Sequence, residues 1–364
     1  MFVLSNTVRI NILTLIHYRV SLLITLDSRN ITLMPLKIAT NTWQNHFANS
    51  IRTMDVLCDY LHLDKQHPNA QYNGSKNFPL RVPYSFANKM RTGDWFDPLL
   101  LQVLPQAVEN VKNTTFTLDP VGDLSASTEK GILQKYQGRA LILVSAACPV
   151  HCRYCFRQHF PYSKHVRYRD EWHSIIQVLK QDSSVHEVIL SGGDPLSLND
   201  ESLASLCQQL STIEHIDTLR IHTRYPIILP ERIDDSFLSW FESLSLNKIM
   251  VIHCNHANEL DQATSDALQK IRIAGGLLYN QSVLLKGIND SVQVLCELSN
   301  VLIRNHITPY YLHQLDKVQG AAHFEVCDKK AIALIDAMRN TLAGYRIPTL
   351  VREDSTQLSK TPIR

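Results

Sequence analysis

From residue 140 onward, short runs of aliphatic and β-branched residues alternate with longer stretches whose apolar residues recur at helical spacing. The strand-like runs cover 140–146, 186–191, 218–223, 248–253, 277–285 and 307–313, and the helical stretches between them include 169–181, 259–273 and 292–304. Six strand–helix units in succession predict an α/β fold whose parallel strands curl into a partial (β/α)6 barrel. In such barrels the functional groups gather at the C-terminal ends of the strands.

The chain before the barrel is less regular. A single amphipathic helix is predicted over 45–63, and four prolines punctuate the stretch that follows it. We expect residues 81–95 to form an arm that packs on the barrel. The predicted organisation is a mainly helical N-terminal region over 34–129, the barrel over 130–345 and a C-terminal segment over 346–364.

Residues 1–33 include an apolar stretch over 9–26 that His17 and Arg19 interrupt. The stretch lacks the ~20 mostly apolar residues that a membrane span needs, and no small-residue cleavage pattern follows it. We therefore interpret Met34 as the true start and residues 1–33 as an upstream or disordered extension.

Composition limits the possible partners. The 364 residues are 45% hydrophobic and 19% charged, with a net charge of +2, which is typical of a soluble globular protein. A balance this even predicts no nucleic-acid or membrane partner, and we expect a cytoplasmic protein. Only three of the eight cysteines cluster, whereas a disulfide scaffold would be shorter and richer in cysteine.

Those three cysteines, Cys148, Cys152 and Cys155, directly follow the first barrel strand. A cubane iron–sulfur cluster normally takes one thiolate per iron, so three thiolates leave one iron open to a small chelating ligand. A zinc site is the alternative, and His151 or His159 would then supply the fourth ligand. The spacing Cys-x3-Cys-x2-Cys on a strand-end loop favours the open [4Fe–4S] cluster.

Polar, glycine-rich or cysteine-rich residues follow every predicted strand. One such group follows each of the six strands. In chain order, the groups begin at Cys148, Ser191, Arg224, Cys254, Lys286 and Gln314. Any one of these groups is compatible with an ordinary loop. Together they predict one ring of functional groups around one barrel mouth.

Cys-x3-Cys-x2-Cys with an aromatic residue before the last cysteine resembles the signature of radical S-adenosylmethionine (SAM) enzymes. That resemblance implies that SAM chelates the open iron and is cleaved to a 5′-deoxyadenosyl radical. Gly192, Gly193 and Asp194 resemble the glycine-rich strand end that meets the SAM amino group, and His253 matches a position near SAM. Without the cysteines, the two glycines would be read as a strand-to-helix turn.

Further motifs resemble the lysine 2,3-aminomutase family in order and spacing. They are Tyr-Gln-Gly-Arg at 136–139, Cys-Arg-Tyr-Cys-Phe-Arg at 152–157, Ser-Gly-Gly-Asp-Pro-Leu at 191–196, the stretches 222–232 and 280–290, Pro-Tyr-Tyr at 309–311 and Ser-Lys-Thr-Pro at 359–362. The resemblance implies isomerisation of L-lysine to β-lysine with a [4Fe–4S] cluster, SAM and pyridoxal phosphate (PLP).

The same resemblance implies roles for individual residues. Lys360 would be the PLP lysine, Arg139 would contact the PLP phosphate and Gln281 would lie near the PLP ring. Each could otherwise be an ordinary surface charge or a polar residue at a strand end.

The substrate residues implied by the resemblance are Arg157 for the lysine carboxylate and Asp316 with Glu353 for the ε-ammonium group. Two acids directed at one pocket suit a cationic side chain, which favours lysine over glutamate as substrate. The otherwise expected state of each of these charges is a solvated loop residue.

The short C-terminus resembles the bacterial branch that makes (R)-β-lysine for modification of elongation factor P, so that factor and its β-lysine ligase are the expected functional partners. Three alternatives stay open at this point: another radical SAM amino-acid 2,3-aminomutase, a SAM-cleaving enzyme without PLP activity, and a binding protein with a structural cluster or zinc.

The interpretation of Met34 as the start is testable. A chain that begins at Met34 is expected to match the 364-residue chain in soluble yield and in activity per iron, because residues 1–33 carry none of the motifs above. Expression of both forms side by side measures this. Loss of solubility or activity in the shorter form would contradict the interpretation.

Overall fold

The computed structural model describes residues 42–70, 72, 78–127, 131–166, 171–354, 356–357 and 359–364, and describes only the backbone of 22–27, 30–35, 71 and 74–75. The predicted extension over 1–33 lies mostly outside these residues. Within it, β1 (Leu22–Asp27) and β2 (Asn30–Pro35) pair antiparallel with each other.

The N-terminal region consists of short elements joined by turns. Its elements are α1 (Trp43–Ala48), α2 (Met54–Leu61), the strands β3 (Gly74–Ser75) and β4 (Phe78–Pro79), α3 (Tyr84–Ala87) and α4 (Asp123–Ala126). The prediction of one helix over 45–63 was wrong. The chain leaves α1 to make a β-bridge between Ile51 and Val82, and Thr53 then caps α2 by accepting a hydrogen bond from the Val56 amide at 3.4 Å.

The barrel contains the predicted succession of strands and helices. Its strands are β5 (Ile132–Leu133), β6 (Arg139–Ser145), β7 (Glu187–Gly192), β8 (Thr218–Thr223), β9 (Asn247–His253), β10 (Gly276–Val283), β11 (Thr308–His313), β12 (Thr349–Arg352) and β13 (Thr361–Pro362). Its helices are α5 (Tyr162–His165), α6 (Trp172–Gln181), α7 (Asp200–Leu210), α8 (Tyr225–Ile228), α9 (Asp235–Ser243), α10 (Gln262–Ile273), α11 (Val292–Arg304) and α12 (Asp328–Arg339).

One sheet joins these strands in the order β13-β12-β11-β10-β9-β8-β7-β6-β5. Strands β6 to β12 run parallel, and β5 and β13 pair antiparallel at the two edges. The six predicted strands are confirmed to within two residues at each end. The sequence pattern missed β5, β12 and β13, which have only two to four residues each.

Side chains alternate between the two faces of the parallel strands, as the pleat requires. On β8, Leu219 and Ile221 pack under the helices, whereas Arg220 and His222 line a cavity on the other face. Strand β9 repeats this pattern, with Met250 on the helix side and His253 in the cavity. One face of the sheet is therefore the hydrophobic core, and the other face carries the polar groups.

The sheet curls until its two edge regions meet. Tyr136 lies between β5 and β6, and Glu353 directly follows β12 at the far side of the sheet. The Tyr136 hydroxyl donates a hydrogen bond to the Glu353 carboxylate. A side-chain contact thus draws the edges of this partial barrel together.

The arm predicted over 81–95 packs on the barrel. Val82 and Phe86 are buried in the hydrophobic cluster of the N-terminal region, which reaches the barrel at Val150 and Ile228. The Lys89 ammonium donates to main-chain oxygens of the barrel, at 2.9 Å to Ile227 in α8. Within the described residues, every helix is too short or too polar to cross a membrane.

Candidate active site

A cavity of about 310 Å³ lies on the concave face of the sheet. Its volume falls within the usual range for small-molecule sites. All thirteen residues predicted from the sequence line it: Arg139, Cys148, Cys152, Cys155, Arg157, Gly192, Gly193, Asp194, His253, Gln281, Asp316, Glu353 and Lys360. Residues that are 221 positions apart in the chain therefore share one pocket.

The cysteine loop follows β6 and is held by the N-terminal region. The Arg153 guanidinium forms an ion pair with Glu109 and donates to the Phe78 carbonyl at 2.9 Å. The Arg81 guanidinium donates to the Cys148 carbonyl at 3.2 Å. These contacts fix the backbone that carries the three thiols.

The two glycines after β7 press against the start of the same loop. The Gly193 amide donates to the Ser145 carbonyl at 2.6 Å. A Cβ atom on Gly193 would lie 2.5 Å from the Ala147 carbonyl oxygen, and one on Gly192 would lie 2.4 Å from the Ser145 carbonyl oxygen. Gly192 also has a φ of +129°, which side-chain-bearing residues rarely adopt. Both positions thus require glycine because β7 meets the cysteine loop backbone to backbone.

Asp194 ties together the ends of two strands. Its carboxylate accepts hydrogen bonds from the Leu196 amide at 3.0 Å, the Thr223 hydroxyl at 2.8 Å and the Arg224 amide at 2.7 Å. Burial raises its pKa to about 6 despite these bonds. The side chain is therefore committed to protein contacts, and the main chain of 192–194 is what faces the cavity.

A buried polar network contacts the Cys152 thiol. Arg224 Nη1 donates to Cys152 Sγ at 2.8 Å, and its Nη2 donates to Gln102 at 2.6 Å and to Glu259 at 2.9 Å. Gln102 in turn donates to Glu259 at 3.0 Å. The network thus fixes a positively charged guanidinium beside one of the three thiols.

His253 joins this network through the aromatic residue of the cysteine motif. Its Nε2 lies 2.8 Å from the Tyr154 hydroxyl, and the two rings stack with centroids 5.6 Å apart. Burial, assisted by Arg224, holds the His253 pKa well below its ordinary value. The imidazole is therefore neutral at physiological pH.

Lys360 and Glu353 meet across the C-terminal hairpin. The Lys360 ammonium lies 2.7 Å from Glu353 Oε2, and it also lies 6.0 Å from the centroid of the Tyr311 ring. Burial alone would raise the pKa of Glu353, but Lys360 and the Tyr136 hydroxyl outweigh it and hold that pKa below its ordinary value. Glu353 is thus an ionised acid inside the cavity.

Asp316 has the opposite character. Burial raises its pKa to about 7, with Glu353 and Asp123 adding to the effect and Lys360 opposing it. Among the described residues, no cation lies close enough to pair with its carboxylate. A cationic ligand would supply that missing charge.

Arg139, the first residue of β6, lies at the end of the strand opposite the cysteine loop. Its guanidinium lies 5.3 Å from the Tyr136 ring centroid and pairs with no carboxylate among the described residues. His222 Nε2 is buried in the same cavity, and no group in the described part of the chain forms a hydrogen bond with it. An unpaired guanidinium and an orphaned imidazole nitrogen, together with Lys360, fit an anionic, hydrogen-bonding cofactor such as PLP.

Each histidine of the zinc alternative uses one ring nitrogen for a main-chain contact. His151 Nδ1 lies 2.8 Å from the Pro79 carbonyl, and His159 Nε2 lies 3.0 Å from the Gln319 carbonyl. Both histidines serve as links to neighbouring loops. In the described ranges, no three Cys, His, Asp or Glu side chains converge closely enough to hold a single metal ion. A cubane cluster takes one thiolate per iron, so the three thiols of this loop would hold three of its irons.

Sequence reasoning missed several groups of this site. Arg224 follows β8 and belongs to the predicted ring, but its contact with Cys152 carried no sequence signal. Gln102 and Asp123 lie in the N-terminal region, where no motif pointed to chemistry. Tertiary packing alone brings Asp123 into the cavity and Gln102 against Arg224, which lines it.

The sequence also matches known proteins. The sequence matches the family described as a 4Fe-4S single cluster domain over residues 137–226, a span that contains the three thiols and confirms the predicted [4Fe–4S] cluster. It is 42% identical over 322 residues to an L-lysine 2,3-aminomutase of Escherichia coli, with 88% of this chain and 94% of that one covered. It is 40% identical over 319 residues to an enzyme of the same name from Haemophilus influenzae, again covering 88% and 94%. A relative of that name from Buchnera aphidicola is 40% identical over 321 residues, covering 87% and 94%.

The glycine contact leads to a prediction about cluster binding. Gly193→Ala is expected to lower the iron content of the anaerobically reconstituted protein by at least about half, because backbone atoms at 2.5 Å from the new methyl group must move. Iron and sulfide analysis measures this. Gly344→Ala is the matched control, since nothing lies within 4 Å of its added Cβ. Equal iron content in both variants would contradict the prediction.

Proposed function

Because the chain belongs to the lysine 2,3-aminomutase family, we propose that it converts L-lysine to β-lysine with a [4Fe–4S] cluster, SAM and PLP. The enzyme class is accordingly that of an isomerase. The observation that carries the proposal is a single cavity that joins three thiols, Lys360, an unpaired guanidinium and two carboxylates. Each of these groups has a use in that one reaction.

When bound, the cluster supplies an electron, SAM a source of a hydrogen-abstracting radical, and PLP a π system on which nitrogen passes between adjacent carbons. Cys148, Cys152 and Cys155 would hold the cluster. Arg224 places a positive charge 2.8 Å from Cys152 Sγ and so offsets the negative charge of the bound thiolates.

Lys360, Arg139 and Gln281 would hold PLP. Lys360 offers its amine, and Arg139 offers a guanidinium suited to a phosphate group. Glu353 lies 2.7 Å from the Lys360 ammonium and so holds it inside the cavity. The main chain of Gly192, Gly193 and Asp194 would meet SAM, because the Asp194 carboxylate is already occupied by protein donors.

The substrate is recognised by its two charged ends. Arg157 would bind the lysine carboxylate, and Asp316 with Glu353 would bind the ε-ammonium group. A glutamate side chain would place a third negative charge beside these two acids, which like-charge repulsion opposes. The acid pair therefore selects lysine.

Neutral histidines and apolar side chains line part of the cavity. Burial holds the pKa values of His222 and His313 well below their ordinary value, with Lys360 adding to the effect at both. Val251 and Val283 line the cavity between the polar groups. Closely placed reactants and the exclusion of water would suit radical chemistry.

The proposal extends to the use of the product. By the resemblance to the bacterial branch that modifies elongation factor P, β-lysine, in its R form, would be supplied to that factor through a β-lysine ligase. Both would be cytoplasmic partners. This part of the proposal rests on resemblance and is tested by the stereochemistry of the product.

The reaction itself gives the main prediction. Anaerobically reconstituted protein supplied with L-lysine, SAM, PLP and a reductant is expected to form β-lysine, and Lys360→Ala is expected to lose the visible absorption band of lysine-linked PLP and at least about 100-fold of the activity. Chiral chromatography of the product measures the first outcome and identifies the enantiomer.

Lys329→Ala, which removes an exposed lysine of α12, is the matched control. Protein with an intact cluster that forms no β-amino acid would overturn the proposed reaction. SAM cleavage without a PLP band in the unmodified protein would instead indicate a SAM-cleaving enzyme that does not use PLP.

The raised pKa of Asp316 predicts a pH dependence of lysine binding. The carboxylate must ionise to bind an ammonium group, so the Kd of L-lysine is expected to fall roughly tenfold from pH 6 to pH 8 as Asp316 ionises near its pKa of about 7. Calorimetry on PLP-loaded protein without SAM measures this.

The Asp316→Asn variant is expected to bind lysine more weakly, and its Kd is expected to lose the stepwise fall between pH 6 and pH 8. Glu353 adds no such step, because its pKa lies below its ordinary value. Because folding raises the pKa of Asp316, ionisation of this carboxyl lowers the free energy of unfolding. This destabilisation is absent below about pH 4, where the carboxyl is protonated in both states, and complete above about pH 7. A step of equal size in the Asp316→Asn variant would assign it to another group.

A further inference from the structure

Asp123 is a carboxylate of the N-terminal region that reaches into the cavity. It begins α4 and is only 2% exposed. Arg157 Nε donates to its Oδ2 at 2.6 Å, and the Lys135 ammonium lies 2.6 Å from its Oδ1. Burial opposes ionisation of Asp123, but Arg157 and Lys135 outweigh it, so its pKa lies below its ordinary value. Asp123 is therefore charged where it stands.

The guanidinium of Arg157 is held on two sides. Nε points at Asp123, and Nη1 donates to the Ser191 hydroxyl at 3.1 Å and lies 3.5 Å from the Gly192 carbonyl. Nη2 has no partner among the described residues, and the Arg157 side chain lines the cavity. The contacts leave one nitrogen of a fixed guanidinium available to a ligand.

Lys135 connects Asp123 to the opposite end of the site. Its ammonium lies 3.9 Å from Glu353 Oε1, and Glu353 in turn holds Lys360 at 2.7 Å. The charges therefore alternate without interruption from Lys360 through Glu353, Lys135 and Asp123 to Arg157. The carboxylate-binding and ammonium-binding ends of the cavity share one chain of ion pairs.

We propose that Asp123 is a positioning residue that orients Arg157 so that its free Nη2 meets the substrate carboxylate, with Lys135 holding Asp123 in place. This inference rests on the proposed function, since it takes L-lysine as the ligand. Asp123 touches neither the substrate nor a cofactor in this role, and it acts through Arg157.

Two effects of removing Asp123 oppose each other. Loss of its charge would make the site more positive and attract a carboxylate, whereas loss of its hydrogen bond would free the guanidinium to rotate. The variant Asp123→Asn/Lys135→Gln removes one negative and one positive charge, so the net charge of the site is unchanged. Because Lys135 also lies 3.9 Å from Glu353, only the part of the affinity loss that depends on Arg157 reports on orientation.

The test is a double-mutant cycle between this charge-neutral variant and Arg157→Met. The Kd of L-lysine is measured by calorimetry on reconstituted, PLP-loaded protein without SAM, so that no turnover occurs, and iron content is measured for every protein. The charge-neutral variant is expected to raise the Kd about tenfold when Arg157 is present, because the charge-assisted hydrogen bond that orients Arg157 is lost. It is expected to raise the Kd less than about twofold when Arg157 is replaced, because no guanidinium is then left to orient.

Asp119→Ala is the matched control. The Asp119 carboxylate accepts from the Asp123 and Leu124 amides at the start of α4 and does not contact Arg157. This variant is expected to leave the Kd of L-lysine within about twofold of the unmodified protein.

Equal losses of affinity with and without Arg157 would overturn the proposal in favour of a structural role, and so would an unchanged Kd when Arg157 is present. Failure of the unmodified protein to bind L-lysine would overturn the proposed function as well. The two failures are therefore distinguishable by the unmodified protein alone.

Discussion

Glu353 is the side chain on which the shape of the cavity depends. The parallel sheet is open, so its two edges cannot satisfy each other through main-chain hydrogen bonds. Glu353 accepts a hydrogen bond from Tyr136 at one edge and holds Lys360 beside the other. A carboxylate that serves the substrate in the proposed function thus also keeps the barrel curled around that substrate.

This dual use has an energetic consequence. Burying charged groups costs several kcal/mol per ion unless each has a well-placed partner. The cavity meets that condition by alternating charges from Lys360 to Arg157. Asp194 and Asp316 lie outside this chain of ion pairs, and burial raises the pKa of both. Asp194 accepts hydrogen bonds from three protein donors, whereas Asp316 is the acid proposed to receive the cationic end of the substrate.

Much of this site was predictable from the sequence because periodicity and topology determine it. The alternation of strand-like and helical runs placed β6 to β11 to within two residues, and parallel strands bring their C-terminal ends together. Cys148, Gly193, His253 and Asp316 therefore fell into one cavity as expected. The roles of these residues came from resemblance, since a lysine four positions before residue 364 has no signal in periodicity.

The groups that sequence reasoning missed share a physical reason. Gln102 and Asp123 come from a region of short helices and turns, where polar spacing does not reveal which side chains point inward. The predicted helix over 45–63 failed for a related reason, because the bridge between Ile51 and Val82 outweighed helical propensity at 49–53. Arg139 was found, but at the N-terminal end of β6, so the cavity runs along the strands and is deeper than a ring of strand-end loops.

The cysteine loop then has three neighbours that must agree in position. Gly192 and Gly193 fix its start through backbone contacts, Arg153 fixes its middle against the N-terminal region, and Asp123 fixes its end through Arg157. Cys155 and Arg157 are separated by one residue, so a shift of the cluster would also move the group that is proposed to bind the substrate carboxylate. Radical transfer requires reacting atoms in close contact. A loop clamped at both ends and in the middle couples the proposed cluster site to the proposed binding site of the substrate carboxylate.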